Sequence, residues 1–159
     1  MKILKSIFFL LFISLSFTSY SQNEEPYSFV DSLNTFVSDS CNNKVYYNRI
    51  FIPRILKKKL REHYHTCFII ANPNRLYRKT DVRIIPFLPN KQMLFLIKNK
   101  TKYVLVYHEG GRGHHTKLVF VEIVSSKIVY FKVCYVLANI KTVSDFLEHV
   151  ITQKNYLIQ

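Results

Sequence analysis

Between Gln92 and Asn139 the chain carries four successive apolar stretches rich in β-branched and aromatic residues, each punctuated by a turn signal. Residues 92–98, 102–108, 115–124 and 127–137 read as strands, and the pattern predicts an antiparallel sheet built from consecutive hairpins. Asn99-Lys100 and Ser125-Ser126 are the expected tight turns of the outer two hairpins. With those registers, Tyr103, Leu105, Tyr107, Leu118, Phe120, Val129, Phe131, Val133 and Tyr135 share one face. Val104, Val106, Val119, Val121, Ile123, Ile128, Tyr130 and Val136 share the other. A sheet apolar on both faces cannot stand in water. It needs helices on each side, a sheet rolled onto itself, or a second subunit, so a homodimer through the sheet is one expectation.

The central hairpin carries the octapeptide His108-Glu109-Gly110-Gly111-Arg112-Gly113-His114-His115. It holds all three glycines of the protein and three of its six histidines. Pairing Glu109 with His114 leaves Gly110 to Gly113 as the loop and sets His108 opposite His115. Opposed Cβ atoms lie about 5 Å apart, from which two imidazoles reach one metal. His108, Glu109, His114 and His115 are therefore a candidate zinc set, short of a well-placed further ligand for a structural site. Gly110, Gly111, Arg112 and Gly113 are a candidate anion site, since successive backbone N–H groups form anion-binding nests. The plain alternative is a turn that uses glycine for its backbone freedom.

Helices flank this region. Pro26 to Ser38 places Phe29, Val30, Leu33, Phe36 and Val37 on one stripe. Pro53 to Tyr64 puts Ile55, Leu56, Leu60 and Tyr64 inward, with Lys59 snorkelling and His63 beside the stripe. Val143 to Thr152 carries Val143, Phe146, Leu147, Val150 and Ile151 behind a Thr142–Asp145 cap. Its docking on the sheet would contribute roughly 1.5–3 kcal/mol per fully buried side chain. Residues 44–52 fit strand or helix equally. Cys67 to Ala71 reads as a short strand and Asp81 to Leu88, with Pro86, as an edge strand. The fold class expected is α+β: N-terminal helices, a mainly antiparallel twisted sheet of about four to six strands, and a C-terminal helix packed on it.

The first 21 residues read as an export signal. Lys2 and Lys5 precede the apolar stretch from Ile7 to Phe17, and Ser19-Tyr20-Ser21 supplies small residues for cleavage before Gln22. That stretch is shorter than the ~20 residues a span requires, so no membrane span is expected after cleavage. No cysteine stands beside the cleavage point, which argues against lipid attachment there. The signal's ending, in a chain rich in Lys, Asn, Ile, Phe and Tyr, resembles exported bacterial proteins. The expected address is periplasmic or secreted, and residues 22–159 are expected to form one domain.

Of 159 residues, 23 are Lys or Arg and 10 are Asp or Glu, a net charge of +13. Losing Lys2 and Lys5 lowers this to +11. Such a balance attracts an acidic protein or an envelope polyanion; an exported address argues against nucleic acid. Arg54, Lys57, Lys58 and Arg61 share the wet face of the second helix, and Arg75, Arg78, Lys79 and Arg83 follow. Cys41, Cys67 and Cys134 allow one disulfide in three pairings. GxSxG, SxxK, HExxH and phosphate-loop motifs are all missing. A Cys67 nucleophile with His63, His65 or His115 as base rests on no motif. Glu122 reads as a gatekeeper in an apolar strand, and His149 as a solvated side chain. The pattern favours a small non-enzymatic binding domain. The alternative is a small metal-dependent or His-based hydrolase centred on residues 108–115.

Overall fold

A computed structural model describes residues 26–39, 42–81, 85, 87–111, 113–136, 140–152 and 157–158. Helix α1 spans Pro26–Ser38, α2 Arg54–Tyr64 and α3 Val143–Thr152. Strands β1 (Lys44–Tyr46), β2 (Lys91–Asn99), β3 (Lys102–Glu109), β4 (His115–Val124), β5 (Lys127–Val136) and β6 (Leu157–Ile158) follow one another across a single sheet in sequence order. Every pairing between these strands is antiparallel. The class is α+β, as expected. No helix among the described residues is long and apolar enough to cross a membrane.

Helices cover both faces of the sheet. On one side Phe29, Leu33, Phe36 and Val37 of α1 join Phe146 and Val150 of α3 over Phe95, Ile97, Val104, Val106, Leu118, Phe120, Cys134 and Val136. Edge-on contacts of Phe29 and Phe36 with Phe120 lock α1 to the sheet's centre. Asp145 caps α3: its carboxylate accepts from the amides of Lys141 and Thr142, while the Thr142 hydroxyl accepts from the Asp145 amide. This is the reciprocal cap the sequence spacing predicts. On the other side Leu56 and Leu60 of α2, with Ile52 and Ile70, cover Met93, Leu96, Leu105, Tyr107, Val119, Val121 and Val133. Lys59 does snorkel, with its ammonium 5.6 Å from the Phe131 ring centre.

The β4 face assignment requires correction. Glu109 pairs with His115 and His108 with Thr116, one residue away from the expected register. Because side chains alternate with period two, that slip turns β4 over. Leu118 and Phe120 join Val104 and Val106, whereas Val119 and Val121 join Leu105 and Tyr107. Bulges between Met93 and Phe95, and between Glu122 and Ile123, reset the alternation elsewhere. The second bulge puts Ile128 with the α2-side core, and Val129 is exposed.

Other segments also differ from expectation. Residues 44–52 divide into β1 and a single 3-10 turn at Arg49–Phe51, capped by the Asn48 side chain. The 67–71 segment forms no strand: the Ile69 amide turns back to the Cys67 carbonyl, and among the described residues Ala71 alone makes a bridge, beside Gln92. Asp81, Ile85, Phe87 and Leu88 lie in no strand; residues 82–84 and 86 of the expected edge strand fall outside the described residues. The β2–β3 turn is Lys100-Thr101, one residue later than expected, with Lys100 at φ 47. Ser125 and Ser126 both have positive φ, the geometry of a two-residue hairpin turn. Cys67 and Cys134 are free thiols, and Cys41 lies outside the described residues. Burial pushes the Cys134 thiol up to about 12.

Candidate functional site

The register of β3 and β4 divides the octapeptide between the two faces of the sheet. Glu109 points to the α2 side, where its Oε1 meets the Lys91 ammonium and its Oε2 the Lys117 ammonium, each at 2.7 Å. Lys91 lies directly opposite Glu109 on β2, and Lys117 lies diagonally across on β4. Both lysines are almost wholly buried. Aromatic rings enclose their charges. Tyr64 and Phe68 lie 5.0 and 5.7 Å from the Lys91 nitrogen, while Tyr64 and Tyr135 each lie 4.8 Å from that of Lys117. Lys117 also donates to the Tyr64 hydroxyl, which shares a 2.6 Å hydrogen bond with buried Tyr107.

Electrostatics make this group self-consistent. Burial would raise the Glu109 pKa, but the hydrogen bonds from Lys117 and Lys91 outweigh it and hold the carboxyl below its ordinary 4.5. Burial would lower Lys117, yet its bond to Glu109 leaves it above its usual value. Burial pushes both Tyr64 and Tyr107 upward. Two ammoniums on one carboxylate leave one positive charge in excess, spread over ring faces that attract cations. With an ammonium on each oxygen, Glu109 is committed to an ion-pair clamp.

His108 points to the opposite side. Its ring centre lies 4.4 Å from that of His114, and its Nδ1 is 3.2 Å from the Thr116 hydroxyl. His114 Nε2 shares a 2.6 Å hydrogen bond with Tyr77. Burial, then His114 and Lys79, lower the His108 pKa to about 4; burial, then Lys79 and His115, lower that of His114. His115 stacks edge-on against Tyr135. The expected zinc set is thus not brought together: Glu109 and His108 face opposite ways. Among the described residues no three His, Cys, Asp or Glu side chains could share a metal ion.

The glycines serve a close approach by the chain's own backbone. A Cβ on Gly110 would lie 2.0 Å from the Arg78 carbonyl oxygen. The Gly110 amide donates to the Asn90 carbonyl and the Gly111 amide to that of Lys79, so neither points at an external anion. Gly111 has φ +142, which glycine adopts freely. The expected anion nest therefore lacks two of its amides, and Arg112 lies outside the described residues. His149 also differs from expectation, since it is buried, and burial lowers its pKa.

The basic residues of α2 stand where the sequence placed them. Arg54, Lys58 and Arg61 are exposed, and Lys57 is half-buried at the rim of a cleft of about 510 Å³. Asn48, Arg49, Ile50, Phe68, Ile69 and Ile70 complete its lining. Arg49 is fixed there: its guanidinium donates to the Ile70 carbonyl and its amide to the Asn72 side chain. Burial, reinforced by Arg49 and Arg54, lowers the Lys57 pKa. Among the described residues no carboxylate lines the cleft. Compared with known families, curated proteins and solved structures, the chain matches none.

Proposed function

We propose that this protein is an exported, non-enzymatic binding domain whose partner is anionic and is engaged through the α2 face. The observation that carries this reading is the local charge: Arg49 and Lys57 line a cleft with no acidic side chain among the described residues of its lining, and Arg54, Lys58 and Arg61 stand exposed on the same helix as Lys57. Mutual repulsion among exposed cations is a standing cost that an anionic partner relieves. Burial, then Arg49 and Arg54, lowers the Lys57 pKa, and an anion beside it would relieve the repulsive part of that shift. The whole-chain charge of +13 draws such a partner in from a distance and makes the encounter salt-dependent.

A titration with a fluorescent heparin oligosaccharide tests the reading. Wild-type affinity is expected to fall steeply with added salt, and reversal of Lys57, Lys58 and Arg61 to glutamate is expected to weaken it on the order of 100-fold at low salt, at about 1 kcal/mol per charge. An affinity indifferent to that reversal would remove the α2 face as the site.

A further inference from the structure

A second cleft, of about 300 Å³, adjoins the first through Ile69, which lines both. Cys67, Arg78, Phe87, Leu88, Pro89 and Asn90 complete it, again without a carboxylate among the described residues. Three large exposed apolar side chains from separate segments line the pair of clefts: Ile50 is 73%, Ile69 53% and Phe87 100% exposed. Phe87 has φ 72, a left-handed conformation that bulky side chains rarely adopt. Its ring stands wholly in solvent. Arg49 and Lys57 line the first cleft and Arg78, whose Nε is buried, lines the second.

We infer that this surface docks on an anionic lipid bilayer, with Ile50, Ile69 and Phe87 entering the headgroup layer while Arg49, Lys57 and Arg78 meet lipid phosphates. The inference rests on the anionic-partner reading above and specifies the partner. Isolated apolar tips set among cations fit a fluid interface, which closes around each tip separately. They do not make the continuous groove that a rigid peptide or helix would fill. A soluble polyanion satisfies the cations but offers the three side chains no apolar phase. Cationic residues near such a membrane each strengthen binding roughly fivefold, and the effect fades within about a Debye length.

The chain has no tryptophan, so Phe87→Trp in the processed protein gives a single reporter at the outermost tip. With vesicles of equal parts phosphatidylglycerol and phosphatidylcholine, its emission is expected to shift to the blue and to become protected from iodide. With pure phosphatidylcholine vesicles, or with heparin, it is expected to stay in water. Ile50→Ser, Ile69→Ser and Phe87→Asn combined keep a residue tolerant of left-handed backbone at 87. Together they should cut vesicle affinity on the order of 100-fold while heparin affinity stays unchanged. Vesicle binding that survives this triple change, or heparin binding with no vesicle binding, overturns the bilayer inference and leaves the anionic-partner reading standing. Loss of charge dependence on both probes overturns both. Matching unfolding curves for wild type and variants establish that each variant is folded.

Discussion

At one end of the sheet Lys91 and Lys117 are sealed against a shared carboxylate and three aromatic rings, whereas Lys57 lines a cleft with no carboxylate among the described residues of its lining, and Arg54, Lys58 and Arg61 stand exposed on the same helix. Both groups cost free energy to assemble, for different reasons. The inner pair gave up hydration and regained it as ion pairs at 2.7 Å, a trade that favours a fixed geometry more than net stability. The outer group is mostly exposed, with Lys57 partly desolvated, and its cations repel one another. Charge in this molecule is therefore structural where paired and buried, and is proposed to serve recognition where exposed and crowded.

The largest test of that contrast is Glu109→Gln. It strands two buried ammoniums without their counter-charge and should cost about 3–5 kcal/mol in urea unfolding. A loss below about 1 kcal/mol would mean the lysines swing out to water, erasing the distinction. Gly110→Ala comes next. Its Cβ meets the Arg78 carbonyl, so the 78–81 segment must lift away at about 1–3 kcal/mol. Anion binding that fell more than stability did would restore the glycine loop as a ligand site.

Acid should expose the two sides of the octapeptide in sequence. His108 titrates near 4 when folded against an ordinary 6.5. As pH falls from 6.5 the unfolded chain takes up the proton first, so the stability this group contributes is whole above 6.5 and lost as pH falls to about 4. His114, also lowered, acts in the same direction. Glu109, held below 4.5, contributes stability that is present above that value and lost as pH falls through its folded value. Chemical denaturation at a series of pH values should show both slopes. His108→Gln should flatten only the upper one, and an unchanged upper slope would contradict the burial of its ring. Tyr107→Phe is the smallest inner change. Loss of the hydroxyl bonded to Tyr64 should cost about 1 kcal/mol by the same unfolding measurement.

The sequence pattern made the three helices, the four long strands and the α+β class legible because apolar periodicity is a local signal. Pro26–Ser38 and Val143–Thr152 match to the residue. Register is not local. A four-residue loop at 110–113 seemed sufficient on turn chemistry alone, and it set His108 against His115. The loop is one residue longer because Gly110 is drawn to Asn90 and Gly111 to Lys79, contacts made by a distant segment. That single residue created a metal set that does not assemble and hid the Lys91–Glu109–Lys117 clamp. One clue was available: Lys117 interrupts an otherwise apolar strand, and a buried lysine requires a carboxylate nearby. The basic face was readable from helical spacing, but Ile50, Ile69 and Phe87 come from three separate loops and meet only in three dimensions.

The central claim is that the α2 cations serve recognition and not folding, and one paired measurement on the Lys57→Glu, Lys58→Glu, Arg61→Glu protein addresses it. Its urea midpoint and its salt of elution from heparin are compared with those of the wild type. Stability is expected to stay within about 0.5 kcal/mol, as for exposed positions, while elution moves to markedly lower salt. Elution at the wild-type salt, with folding intact, would contradict the account.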